Sequence, residues 1–331
     1  MDQWLSDSEG WKEWNRGPHK RKFLCADGLI TRRPKEHPIR RTFTFWGEWE
    51  PPSRVRAIPQ ISDGYPKWRH TPELNLEAKK TVNSNLSCDD MNFQNTDPLV
   101  FGDRFLYVVC QQIKNGRLTT LSRLNTGDII LFGSCVCGRK MFAVDTVFVV
   151  GIHEMVHHVD KLPDWESDLH NIITTDLIDI PKCGLRFYGG ETWSSEGPFS
   201  FVPCLPTTLD GEGFRRPVIQ PSGILSGIIT PTLSQGHKIT TFDDDKYALA
   251  VFDAVVGQVI NQGCCLATTI DEPIWHARKW IGGVPQGSCR RAGCRDDPHQ
   301  DAGCRLRDFP GTRRIRAEAR QRTQRHGADE R

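Results

Sequence analysis

The amino-acid sequence predicts a strand-dominated α+β fold: a small antiparallel or mixed barrel-like β core, a few packed helices, and disordered ends. Three observations carry that expectation. Residues 99–112, 128–135 and 140–151 are rich in Val, Ile, Phe and Tyr, with turn signals at Asn115-Gly116, residues 125–127 and Cys137-Gly138. Residues 246–262 show the one sustained helical period. The ends are polar and charged, too poor in periodic apolar residues to offset the entropy of ordering them.

In chain order, residues 1–40 read as a basic, poorly ordered arm broken by Pro18, Pro34 and Pro38, with one short strand near Phe23. A β-rich α+β body spans 41–275. Its first strand, 41–49, places Phe43, Phe45, Gly47 and Trp49 on one face and stops at Pro51-Pro52. Residues 60–95 read as a turn-rich surface excursion with one helical turn at 73–80. After the three-strand region come a weak helix at 164–174 and short strands at 185–188 and 199–202. The main helix carries Leu249, Val251, Phe252, Val255, Val256, Val259 and Ile260 at helical spacing, with acids at 243–245 before it and Gly263 after it. Residues 276–331 form an Arg-rich tail.

Length and composition exclude several classes. The chain has 331 residues, 37% hydrophobic and 25% charged, enough for a proper core. Its most apolar stretch, 142–152, is interrupted by Asp145 and is too short to span a membrane. The start, Met1-Asp2-Gln3-Trp4, lacks the pattern of a secretory leader, so the twelve cysteines read as reduced thiols of a cytoplasmic protein. No Gly-rich phosphate loop follows a strand, and no kinase, methyltransferase or Rossmann fingerprint is present.

The net charge of +2 conceals an asymmetry. Residues 276–331 carry 13 Arg and one Lys against seven acids, and residues 16–41 carry nine basic residues against Asp27 and Glu36. Basic segments flanking an acidic body suit contact with RNA or DNA; the plainer reading is a pair of solvated ends. Arg32, Arg33, Arg40 and Arg41 are the candidate phosphate contacts. Trp46 and Trp49, with Arg54 and Arg56 nearby, are candidate base-stacking residues, although Trp on an alternating strand is more often half-buried core. Asp103 and Arg104 interrupt an apolar run, either as a strand end reaching a ligand or as a structural ion pair or exposed edge.

Two patterns point to metal. His153-Glu154-Met155-Val156-His157 matches the H-E-x-x-H of zinc hydrolases, in which a helix puts both imidazoles on one face and Glu154 activates a bound water. The flanking 144–150 reads as a strand, however, and favours a polar loop after a core strand. Cys289, Cys294, His299 and Cys304 lie at uniform spacing in the tail and could close a tetrahedral site. No cofactor is required by the sequence; zinc is the ion these patterns would take.

Residues 124–132, Leu-Asn-Thr-Gly-Asp-Ile-Ile-Leu-Phe, followed by 142–150, Phe-Ala-Val-Asp-Thr-Val-Phe-Val-Val, resemble the paired strands of PUA-like domains, the superfamily that includes EVE and ASCH domains. The resemblance covers residues 99–151. It implies a compact barrel in which a Gly-Asp turn enters one strand and the next strand returns across it. It also implies recognition of RNA or a modified base. The expected function is therefore nucleic-acid or modified-nucleotide binding. The alternatives are a zinc hydrolase at His153 and His157, or an interaction module without chemistry.

Overall fold

The computed structural model describes residues 3–4, 21–49, 51, 53–58, 68–75, 96–135, 141–175, 178, 180–207, 215–229, 237–238, 240 and 245–276. The chain divides into units Met1–Arg290 and Arg291–Arg331, and every described residue lies in the first. Strands come first: β1 (Gln3–Trp4), β2 (Lys22–Thr31), β3 (Ile39–Gly47), β4 (Ser53–Ala57) and β5 (Trp68–Asn75). The middle holds β6 (Leu106–Tyr107), β7 (Ile113–Lys114), β8 (Arg117–Leu118), β9 (Ile129–Cys135) and β10 (Phe142–Val156). Helix α1 (Asp168–Ile173) precedes β11 (Leu185–Gly190), β12 (Val202–Pro206) and β13 (Val218–Ile219). Helix α2 (Asp245–Asn261), β14 (Cys265–Ile270) and β15 (Ile274–His276) complete the set.

Four strands close on themselves. β2 pairs with β3, β3 with β12, β12 with β14, and β14 with β2, each antiparallel, so the strand-rich α+β class holds and a small barrel is present. β5 joins the same sheet beside β2 at Leu24 and His70 and carries β4, β1 and β15. The second sheet is built around β10, which pairs with β9, β11 and β13; β6 lies on β11. Val147 and Phe201 exchange backbone hydrogen bonds of 2.9 and 2.8 Å, tying β10 to the start of β12.

Packing follows the residue types. Phe43, Phe45, Trp49, Phe101, Tyr107, Phe148 and Tyr188 form one aromatic-rich core between barrel and sheet. In α2, Val251, Phe252, Val255, Val256 and Val259 pack on Val144, Val147, Phe199 and Phe201, so the helical stripe read from the sequence is the buried face except at its first member, Leu249, which is exposed, and its last, Ile260, which is half-buried. Gly263, at φ +83°, ends that helix in the left-handed conformation glycine adopts without strain. Ser167 caps α1 by accepting the His170 N–H at 3.1 Å. Asp145, the charge that interrupts the apolar run, sits 2% exposed between Arg21 and Arg216; Arg216 also donates to Ser134 at 2.8 Å and to the Ala143 carbonyl at 3.0 Å. The strand therefore buries a charge because two guanidinium groups and their hydrogen bonds compensate it.

Several expectations change. The arm read as poorly ordered to residue 40 contains the ten-residue β2, because Phe23, Leu24 and Ile30 have barrel neighbours to bury against. Pro34 and Pro38 lie in the turn between β2 and β3. The turn placed at 73–80 is strand as far as Asn75, held between β4 and β15, and 76–80 lie outside the described residues. The strand at 99–112 shrinks to β6: the buried Asp97 carboxylate accepts the N–H groups of Val108 and Val109 at 2.9 and 2.7 Å, and that of Cys110, which turns the chain. β9 pairs antiparallel with β10 after the Gly127-Asp128 turn, with Gly127 N donating to Val150 O at 2.7 Å. That hairpin belongs to the second sheet; the closed barrel uses other strands. Residues 277–331 lie outside the described residues, and with them Cys289, Cys294, His299 and Cys304.

Candidate nucleic-acid interface

The β2–β3 hairpin gathers the basic residues of the former arm. Gly28, Leu29 and Ile30 face Arg41, Arg40 and Ile39 in register, and residues 32–38 form the tip. Between 31 and 42 stand five cations, Arg32, Arg33, Lys35, Arg40 and Arg41, against the single acid Glu36. Thr31, itself buried, organises the tip: its hydroxyl reaches the carbonyls of Arg33 and Glu36 at 2.5 and 2.9 Å and accepts the Arg33 N–H at 3.2 Å. Glu36 N–H closes the turn on Arg33 O at 3.0 Å.

The cations are on the surface. The Arg33 side chain is 78% exposed and 3.6 Å from Glu36; that of Arg40 is 64% exposed and pairs with Asp271. Arg41 donates to the Arg40 carbonyl at 3.0 Å, and Lys35 is exposed. The Arg32 guanidinium donates to the Cys265 thiol, yet burial still raises that thiol above its ordinary value. Exposed ion pairs of this kind contribute at most about 1 kcal/mol. Acids border the hairpin base. Beyond Asp271, Glu272 is raised from the usual carboxyl range by burial and then by the charges of Asp103 and Asp168.

The aromatic candidates divide. Trp49 is fully buried, edge-on to Phe101 at 5.1 Å, and offers no face to a base. Trp46 is half-buried against Phe23 at 5.5 Å. The aromatic that does meet the basic tip is Trp193, which sequence reasoning missed. Its indole N–H donates to the Pro34 carbonyl at 3.0 Å, and its ring lies 5.0 Å from the exposed His37 ring at 48°. Asp103 and Arg104 do not join this surface as a pair: Arg104 lies across Gly189 and donates to the Gly190 carbonyl at 2.7 Å, whereas Asp103 is exposed near Glu272.

The H-E-x-x-H segment is neither helix nor loop. His153 and Glu154 belong to β10, and His157 follows the strand's last residue. On a strand, four residues span about 13 Å, against about 6 Å along a helix, so the two imidazoles stand apart with Met155 between them. Glu154 alternates to the opposite face and is exposed. His153 Nδ1 is 2.8 Å from an Arg186 guanidinium nitrogen, which can only donate, so Nδ1 accepts and the ring hydrogen sits on Nε2. His157 lies over Gly184. Among the described residues no three His, Cys, Asp or Glu side chains converge to hold a metal ion, and no helix is long and apolar enough to cross a membrane.

Compared with family models, curated proteins and solved structures, the chain matches none of them.

Proposed function

We propose that this chain binds RNA or DNA, or a modified nucleotide within it, through the β2–β3 hairpin. The observation that carries the reading is the concentration of exposed Arg32, Arg33, Lys35, Arg40 and Arg41 on one hairpin with a single acid among them. Guanidinium groups on a pre-ordered turn supply bidentate, charge-assisted bonds to phosphate at little ordering cost. The resemblance to PUA-like domains points to the same class of ligand. The zinc-hydrolase alternative draws nothing from β10, whose strand geometry separates the two histidines.

Hydrogen exchange in the presence of a saturating mixed-sequence oligonucleotide tests this. Amides of residues 31–42 are expected to exchange more slowly when the oligonucleotide is bound. Unchanged exchange across the hairpin, with slowing elsewhere, would overturn the assignment.

A further inference from the structure

Building on the phosphate-binding reading above, we infer that His37 and Trp193 form a stacking platform for an unpaired base, set within the basic tip of the β2–β3 hairpin. The two rings come from segments far apart in sequence and meet at 5.0 Å, inclined at 48° rather than lying flat against each other. The indole is half-buried, packed on its inner side against the core, and fixed by its bond to the Pro34 carbonyl, and the turn beneath it is fixed by Thr31 and Glu36. His37 is exposed, and Arg33 and Lys35, on the same turn, are exposed as well. Aromatic faces beside cations are what a single strand uses: the rings take the base and the cations take the backbone. A paired base already has both faces covered by its neighbours, so such a platform favours unpaired nucleotides. Were Trp193 only an anchor for the hairpin tip, His37 would contribute nothing to binding.

Affinity for a short oligothymidylate, and for its duplex with oligoadenylate, is measured for the full chain and for His37→Ala and Trp193→Phe across a salt series. His37→Ala removes an exposed ring, and thermal melting checks that each variant keeps the fold. The expected result is tighter binding of the single strand by the unaltered chain. His37→Ala should then lose at least about fivefold in single-strand affinity, with duplex affinity and salt slope unchanged. Trp193→Phe, which keeps a ring but loses the bond to Pro34, should lose less. Wild-type affinity in both variants, or a preference of the unaltered chain for duplex, overturns the platform and leaves the phosphate reading standing. Binding of neither form at low salt overturns both.

Discussion

Acid should destabilise this protein through one buried imidazole. His70, on β5, is 9% exposed, and its Nδ1 lies 2.9 Å from the hydroxyl of the buried Ser53. Burial, reinforced by the Lys22 charge, lowers its pKa from 6.5 to about 3. Between those values the unfolded chain binds a proton that the folded chain refuses, so stability falls as pH drops through 6.5 and continues to fall until about 3. At about 1.4 kcal/mol per pH unit, the loss attributable to His70 is about 3 kcal/mol at pH 4 and reaches about 5 kcal/mol below pH 3. Carboxylates contribute acid sensitivity of their own, so the measurement is a difference. Urea unfolding of the wild type and of His70→Gln, a neutral side chain able to bond Ser53, is compared from pH 7 to pH 4. The wild type should lose about 3 kcal/mol more than the variant over that range. A pH-independent difference, or an imidazole titration near 6.5 by NMR for His70 in the folded protein, would refute the reasoning.

Two further changes test the fold around the hairpin. Asp145→Asn removes the buried carboxylate of Arg216, while Arg21 keeps its ion pair with Glu48, and should cost about 3 kcal/mol in urea unfolding. A loss below about 1 kcal/mol would show that the network is already solvated. Gly28→Ala would place a Cβ 2.1 Å from the Thr269 carbonyl oxygen, a backbone atom, so β2 and β14 must separate. A thermal midpoint that drops steeply is expected; an unchanged midpoint would contradict the closed barrel.

The parts of this fold that were legible in the sequence are those whose signal is local. Helix α2 announces itself because its buried valines recur at helical spacing over several turns, and β9 with β10 because two runs of β-branched and aromatic residues follow a Gly-Asp turn and are separated by the Cys137-Gly138 turn signal. The barrel was legible as a class and not in its strands. Its closure pairs Thr31 with Leu266, and no local pattern encodes a partner that distant. Prolines at 34 and 38 suggested an unstructured arm; here they serve a turn between two strands.

The candidate interface divides in the same way. The charge of Arg32, Arg33, Arg40 and Arg41 was visible as composition, whereas their collection on one hairpin depends on the β2–β3 register. Trp193 was missed because its partners, Pro34 and His37, are more than 150 residues away; the available signal was a lone Trp in a polar loop. His153 and His157 show the converse. Their i, i+4 spacing is the same on a helix and on a strand, and only the valine-rich run before them separates the two.

The central claim is that the hairpin engages phosphate, and the salt dependence of oligonucleotide binding tests it most directly. Affinity is measured over a salt series for the wild type and for the Arg32→Glu, Arg33→Glu, Arg40→Glu, Arg41→Glu quadruple variant, with thermal melting as a check on the fold. Each cation that engages a phosphate should add about 0.9 to the slope of log affinity against log salt on duplex DNA, and about 0.7 on a single strand. The wild type should show a steep slope. The variant should bind more weakly, with a slope flatter by that amount for each phosphate-engaging arginine replaced. A folded quadruple variant that binds with wild-type affinity and slope would contradict the account.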